Sequence, residues 1–169
     1  TFEKFGRSPG GRHVLIGTLS KSFASYGGFV AGASSVIRYI KARSKEFIYT
    51  TAAPPFQVIA ALEALTIIRS REGGALRKIL WRHVRLLSRL LNRSAGPAFQ
   101  SQIIPIPISG GPTAVLSAAR RLWEAGCFAI GMRYPTVPRG QERIRISLSS
   151  AHTDQDIRRL ANALRESTG

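Results

Sequence analysis

The sequence predicts an α/β fold in which short apolar strands alternate with helices and the last part forms a small α+β unit. Three observations lead there. Apolar runs of strand length at residues 14–17 and 28–33 flank a Ser/Gly-rich stretch. Two consecutive segments of helical period follow, over residues 56–69 and 75–93. Residues 143–149 then alternate strictly between polar and apolar ahead of a final helix.

Residues 1–12, with Gly6, Pro9, Gly10 and Gly11, read as a loop. Residues 14–17 make a short buried strand that ends at a loop around Lys21, and residues 28–33 make another. Over residues 35–44, Val36, Ile37, Tyr39 and Ile40 interleave with Arg38, Lys41 and Arg43, which suits a short amphipathic helix. A further strand is expected at residues 47–51. Pro54 and Pro55 then mark a helix start, because proline in the first turn loses no hydrogen bond. That helix is apolar on nearly every side through Phe56, Val58, Ile59, Leu62, Leu65, Ile67 and Ile68, so it is expected to be buried. Gly73-Gly74 is expected to break it.

Residues 75–93 form a cleaner amphipathic helix, with Leu76, Ile79, Leu80, Val84, Leu87, Leu90 and Leu91 on one face. Its other face carries Lys78, Arg82, Arg85, Arg89 and Arg93. Gly96-Pro97 marks a composition shift, which divides the chain into residues 1–95 and 96–169. Residues 103–109 alternate isoleucine with proline and suggest an edge strand, since proline cannot donate to a ladder. Residues 112–125 read as a helix stopped by Gly126, and residues 127–133 as a strand. In the alternating run, Ile144, Ile146 and Leu148 face one way and Arg143, Arg145 and Ser147 the other. Thr153 with Asp156 resembles a capping box, opening a helix buried through Ile157, Leu160, Ala161 and Leu164.

The balance of 25 basic against 9 acidic residues, net +16, points to an anionic partner. The cationic stripe of residues 78–93 is the best case for nucleic acid or a membrane surface. It lacks aromatic interleaving and any recognised nucleic-acid motif, so neither partner is expected. A solvated face is the expected reading, with an acidic protein or a phosphate-bearing carrier next. One cysteine, Cys127, excludes an internal disulfide framework, supplies no metal cluster and suits small apolar filler. The longest uncharged run, residues 94–119, is broken by Pro97, Pro105, Pro107 and Pro112, so it cannot cross a membrane as a helix. Without a basic-then-apolar leader, a soluble cytoplasmic chain is expected.

The most specific chemistry lies in Thr18-Leu19-Ser20-Lys21-Ser22-Phe23-Ala24-Ser25-Tyr26-Gly27-Gly28. One lysine stands among hydroxyls and small residues, where neither a core nor a solvated face calls for it. Imine formation does. A cofactor with its aldehyde and phosphate arm on adjacent ring carbons needs phosphate donors within a few residues of the lysine. Thr18 and Ser20 supply them, and the glycines let backbone approach a flat ring.

This stretch resembles the cofactor-lysine signature of the α-oxoamine synthases, class II pyridoxal-phosphate transferases. Two more stretches are similar to family blocks in the same order. They are Phe47-Ile48-Tyr49-Thr50-Thr51-Ala52-Ala53-Pro54-Pro55 and the run from Tyr134-Pro135-Thr136-Val137-Pro138 through Arg143-Ile144-Arg145-Ile146. The second, followed by Ala151-His152-Thr153, is most similar to the 8-amino-7-oxononanoate synthase branch of biotin synthesis.

The resemblance implies fold type I architecture, with the end of a large cofactor domain at residues 1–95 and a small C-terminal α+β domain at residues 96–169. It implies pyridoxal 5'-phosphate and a decarboxylative condensation of L-alanine with a pimeloyl thioester, on coenzyme A or a carrier protein. Sibling synthases of the 2-amino-3-ketobutyrate ligase or serine palmitoyltransferase type would share the lysine stretch. A non-catalytic basic module on the same scaffold is the alternative from another class.

On that resemblance, Lys21 would hold the cofactor aldehyde and then act as the base at the substrate α-carbon. Thr18 matches a phosphate anchor, with Ser20 beside it. Thr50, or Thr51 next to it, matches a hydroxyl that reaches the phosphate bound in a neighbouring subunit, which implies a homodimer with shared active sites. Arg145 matches the arginine that grips the substrate carboxylate, a task suited to a planar guanidinium fork. Arg143 points to the same side by period, so alternation does not choose between them. No metal is implied.

Pyridoxal chemistry also needs an acid near the pyridinium nitrogen. The aspartates are Asp154 and Asp156, both at the start of the final helix. In the family the acid and a ring-side histidine lie upstream of the lysine, and His13, His83 and His152 do not occupy the matching place. The chain therefore resembles a C-terminal portion, expected to bind cofactor poorly or not at all by itself.

Overall fold

The computed structural model describes residue 6, residues 8–91 and residues 99–168. The junction expected at Gly96-Pro97 and the last cation of the stripe, Arg93, lie outside them. The chain groups into two compact units, Thr1–Gly73 and Gly74–Gly169. That boundary is earlier than the composition shift and places most of the second long helix with the second unit.

In the first unit, β1 (Leu15–Thr18) and β2 (Gly28–Ala31) pair antiparallel, with Leu15 opposite Ala31 and Gly17 opposite Phe29. A Cβ at position 17 would stand 2.5 Å from the Phe29 ring, so glycine lets the aromatic lie across the neighbouring strand. Helix α1 (Ser34–Arg43) carries Lys41 and Arg43 in its last turn, where cations suit the unpaired carbonyls.

The strand expected at residues 47–51 is instead a short helix, α2 (Lys45–Ile48). The Ser44 hydroxyl accepts the Phe47 N–H at 3.3 Å, and the Tyr49 N–H bonds to the Lys45 carbonyl at 2.9 Å. A local cap thus overrides the strand preference of Phe47, Ile48 and Tyr49.

Helix α3 (Pro55–Arg69) starts at the expected proline. It is not buried: Phe56 is 68% exposed, Ile59 60% and Leu62 57%. Its all-round apolarity is real, but among the described residues no buried side chain lies in this unit to form a core around it.

Helix α3 stops at Ser70, whose hydroxyl donates to the Ile67 carbonyl at 2.7 Å and accepts the Gly73 N–H at 3.2 Å. Helix α4 (Arg71–Leu90) begins at once and runs straight through Gly73-Gly74. The expected break therefore falls at the serine. Gly73 marks a close approach, since a Cβ there would collide with the Ile67 carbonyl.

The second unit holds an antiparallel sheet in the order β3-β5-β4, from β3 (Ile103–Pro107), β4 (Ile130–Met132) and β5 (Arg143–Ser147). Strand β3 lies at an edge, as its prolines require, with Pro105 opposite Arg145 and Pro107 opposite Arg143. Ile104, Ile106, Ile144 and Ile146 pack in one core with Leu87 of α4, Val115 and Leu122 of α5 (Gly111–Glu124), and Ile157 and Leu164 of α6 (Asp154–Thr168). Helix α5 starts from Gly110 and Gly111, both at positive φ, with a proline in its first turn.

The capping box of α6 forms as expected. The Thr153 N–H and hydroxyl both donate to Asp156 Oδ2 at 2.8 Å, and the Asp156 N–H returns to Thr153 Oγ1 at 3.2 Å. His83 of α4 is fully buried, with Nδ1 donating to the Ser149 carbonyl at 3.1 Å. Strand β4 is shorter than residues 127–133, because its pairing with β5 stops at Ile130 opposite Arg145.

Candidate active site

Lys21 sits in the loop between β1 and β2, and that loop is held by its own hydrogen bonds. The Leu19 N–H bonds to the Gly27 carbonyl at 2.9 Å, the Ser25 N–H to the Leu19 carbonyl at 3.0 Å, and the Ala24 N–H to the Lys21 carbonyl at 2.9 Å. Two positive-φ residues make the path possible, Ala24 at 47° and Gly27 at 101°. An alanine in that region carries backbone strain of the kind found at functional turns.

Thr18 closes the base of the loop. Its Oγ1 accepts the Ser20 N–H at 3.2 Å, lies 2.8 Å from Ser20 Oγ and donates to the Gly27 carbonyl at 3.5 Å. The Ser25 hydroxyl donates to the Gln57 carbonyl at 2.7 Å, which pins the loop to the first turn of α3. Phe23 meets Phe29 edge-on at 6.3 Å, packing the loop back on the hairpin. The lysine itself is exposed and forms no ion pair among the described residues.

This donor set, one presented amine with two hydroxyls at its base, fits a phosphorylated aldehyde: the amine can form an imine and the hydroxyls can take phosphate oxygens. Thr50 and Thr51 lie exposed between α2 and α3, and neither hydroxyl hydrogen-bonds to the lysine loop. Ser25 carried no assigned role in the sequence, since nothing in its neighbourhood signals a partner 32 residues away.

In the second unit, the structure separates two arginines that alternation leaves equivalent. Arg143 is engaged: Nε donates to the Gln141 carbonyl at 2.9 Å and Nη2 to Gln141 Oε1 at 3.0 Å. Arg145 is exposed on β5, and its side chain makes no hydrogen bond or ion pair among the described residues. It lines a cleft of about 380 Å³ that opens where β4 leaves β5, with Phe128, Ile130, His152 and Arg159 also on its walls.

His152 accepts the Ser149 N–H at its Nδ1, 3.0 Å away, which is a local structural role. Cys127 is half-buried at the cleft edge, and burial pushes its thiol pKa up, with Arg159 pulling the other way. Among the described residues no cluster of His, Cys, Asp and Glu could hold a metal ion, and no helix is long and apolar enough to cross a membrane.

The profile of the aminotransferase class I and II family matches residues 5–164. The chain belongs to that family. Aminotransferase class I and II relatives at clear sequence identity include the 8-amino-7-oxononanoate synthase of Methylobacterium nodulans, 37% identical over 151 residues, which span 89% of this chain and 38% of that protein. Among solved structures, the 8-amino-7-oxononanoate synthase of Francisella tularensis matches with a TM-score of 0.80 at 23% identity, over 98% of this chain and 48% of that one. The serine palmitoyltransferase of Sphingomonas wittichii matches with a TM-score of 0.81 at 23% identity, over 91% and 39%.

At that identity the structural likeness concerns the fold alone. With the family match, it is the fold type I pyridoxal-phosphate transferase architecture that the family resemblance implies. The chain spans about 40% of the length of the relatives it matches.

Proposed function

We propose that the full-length protein is a pyridoxal-phosphate-dependent acyltransferase that condenses L-alanine with a pimeloyl thioester. The products are 8-amino-7-oxononanoate, carbon dioxide and the free thiol, a step of biotin synthesis. The observation that carries this reading is the Lys21 loop, in which an exposed lysine follows the paired hydroxyls of Thr18 and Ser20. The names of the relatives at 37% identity support the reaction class.

Bound pyridoxal phosphate supplies an electron sink for negative charge at the amino-acid α-carbon. Lys21 Nζ would hold the aldehyde and would serve as the base that takes the substrate α-proton. Thr18 and Ser20 bind phosphate oxygens, with Thr50 or Thr51 adding a hydroxyl from the other subunit of a homodimer. Arg145 orients the amino-acid carboxylate through its guanidinium fork.

Residues 1–95 close the cofactor domain on this reading, and residues 96–169 form the small domain. The described span alone is inactive, because both of its aspartates are engaged elsewhere: Asp154 pairs with Arg82 at 3.0 Å and Asp156 caps α6. Neither is left to pair with a pyridinium nitrogen.

The test is borohydride reduction of the full-length protein with the cofactor, followed by peptide mapping. The label is expected on Lys21, and a label on another lysine overturns the assignment. A screen of acyl thioesters, with the pimeloyl donor expected to be turned over fastest, separates this reaction from those of the sibling synthases.

A further inference from the structure

On the reading that the protein condenses an amino acid with a pimeloyl thioester, Arg145 takes one carboxylate and leaves the far carboxylate of the acyl chain without a partner. The cleft of about 380 Å³ that Arg145 lines is large enough for a small-molecule site. Its apolar wall comes from two places: Ile146 and Leu148 at and just past the end of β5, and Ile157 and Leu160 on α6. Strand alternation puts Arg145 on one face of the sheet and Ile146 with Leu148 on the other. Because β4 stops at Ile130, the flank of β5 past Arg145 has no paired strand, and a ligand can run round it from one face to the other.

A second guanidinium lines the cleft from α6. Arg159 shares a flank of that helix with Asp156 and Leu160, at the three- and four-residue spacing that makes side chains neighbours. Its Nη1 lies over the main chain of Gly126, where a Cβ would meet it at 3.6 Å. The side chain is exposed and makes no hydrogen bond or ion pair among the described residues. Neither candidate counter-ion on the wall is free to serve it. Asp156 Oδ2 already accepts from the N–H and the hydroxyl of Thr153, each at 2.8 Å. Burial pushes the Cys127 thiol pKa up, so the thiol stays neutral. His152 adds a donor: with Nδ1 accepting the Ser149 N–H, the proton of the neutral ring sits on Nε2.

We infer that Arg159 reads the terminal carboxylate of the acyl donor, whose methylenes lie along Ile146, Leu148, Ile157 and Leu160, with His152 Nε2–H as the second donor. The chemistry of the walls selects this class of ligand. An apolar trough ending at an unpaired cation suits an aliphatic chain that ends in an anion, and a compact anion such as phosphate would leave the trough unused. A planar guanidinium takes a carboxylate through two parallel hydrogen bonds. A plain fatty acyl chain gains nothing from that pair, so Arg159 acts as a specificity residue for dicarboxylic donors.

The experiment uses the full-length protein with pimeloyl-coenzyme A and heptanoyl-coenzyme A, donors of equal chain length that differ in the terminal carboxylate. Arg159→Gln is expected to lower kcat/KM for the pimeloyl donor about tenfold or more, leaving the heptanoyl donor and the KM for L-alanine within about twofold. Arg159→Lys keeps the charge but loses the fork, and is expected to restore part of the preference. Arg158→Gln, one residue away and not on the cleft wall, is the control and is expected to change neither donor. Calorimetry with free heptanedioate gives a readout apart from turnover. Its binding is expected to weaken about tenfold in Arg159→Gln, with heptanoate binding unchanged.

Equal loss with both donors would overturn the proposal by making Arg159 structural. So would an undiminished preference for the pimeloyl donor in Arg159→Gln, which would put the terminal carboxylate elsewhere, or heptanedioate binding indifferent to that substitution. Arg159-dependent heptanedioate binding in a protein that turns over neither thioester would support the cleft site and sink the acyl-transfer reading instead.

Discussion

The Ser25 hydroxyl and the Gln57 main-chain carbonyl are joined at 2.7 Å, a link across 32 residues that ties the lysine loop to α3. The loop's other hydrogen bonds are internal to residues 18–27, so this one sets where the loop stands on its unit. Ser25→Ala is expected to weaken cofactor retention about fivefold, the effect of one hydrogen bond worth about 1 kcal/mol. Lys21 should remain the labelled residue. An absorbance titration of the full-length protein checks it, and unchanged affinity would show that the loop's internal turns suffice.

Arg145 and Arg143 should separate in the same way in kinetics. A guanidinium that grips a carboxylate contributes a charge-assisted pair of about 1.5–3 kcal/mol, so Arg145→Ala is expected to raise the amino-acid KM by about 10-fold to 100-fold. Arg143 already spends two donors on Gln141, and Arg143→Ala is expected to change KM by less than about threefold. Steady-state kinetics with varied amino acid decides, and a reversed order would move the carboxylate site to Arg143.

What could be read from the sequence was local. The capping box of Thr153 and Asp156, the alternation of β5 and the amphipathic period of α4 each depend on neighbours a few residues apart, and all three stand in the structure. Phe47-Ile48-Tyr49 has strand composition, yet one serine cap three residues before Phe47 turns it helical. Burial of α3 is a statement about what surrounds it, and no pattern within residues 56–69 specifies a cover. The Lys21 loop was legible through its residue types, and its tether to Gln57 was not, because a hydroxyl-to-backbone bond leaves no trace in spacing. Arg143 and Arg145 share a face, so only the position of Gln141 distinguishes them.

The paired glycines of α4 should also respond differently to the same substitution. A Cβ at Gly73 collides with the Ile67 carbonyl, and backbone cannot swing aside as a side chain does. Gly73→Ala is expected to destabilise by about 1–3 kcal/mol. At Gly74 the nearest atom is the far end of Arg77, 4.0 Å away, so Gly74→Ala is expected to stabilise the helix by up to about 1 kcal/mol. Denaturant midpoints of the full-length variants measure both. Equal effects would mean that the glycines serve only as weak helix formers.

The α6 cap should make stability depend on acid pH with a definite sign. The Thr153 N–H, and then its hydroxyl, hold the Asp156 carboxyl below its ordinary value of 3.8, with His152 and Arg159 adding smaller pulls in the same direction. A carboxyl whose folded-state pKa is depressed stabilises the fold fully above its unfolded value. That contribution is lost as the pH falls through the lower, folded-state value. Asp156→Asn keeps an acceptor for the cap but removes the charge, so its deficit against the native protein is expected at neutral pH and should shrink once the pH drops below 3.8. Urea midpoints of both proteins, from neutral pH down to about pH 3, give the comparison. A gap that stays constant over the range would show that the cap acts through its hydrogen-bond geometry alone, with no share from the carboxylate's charge.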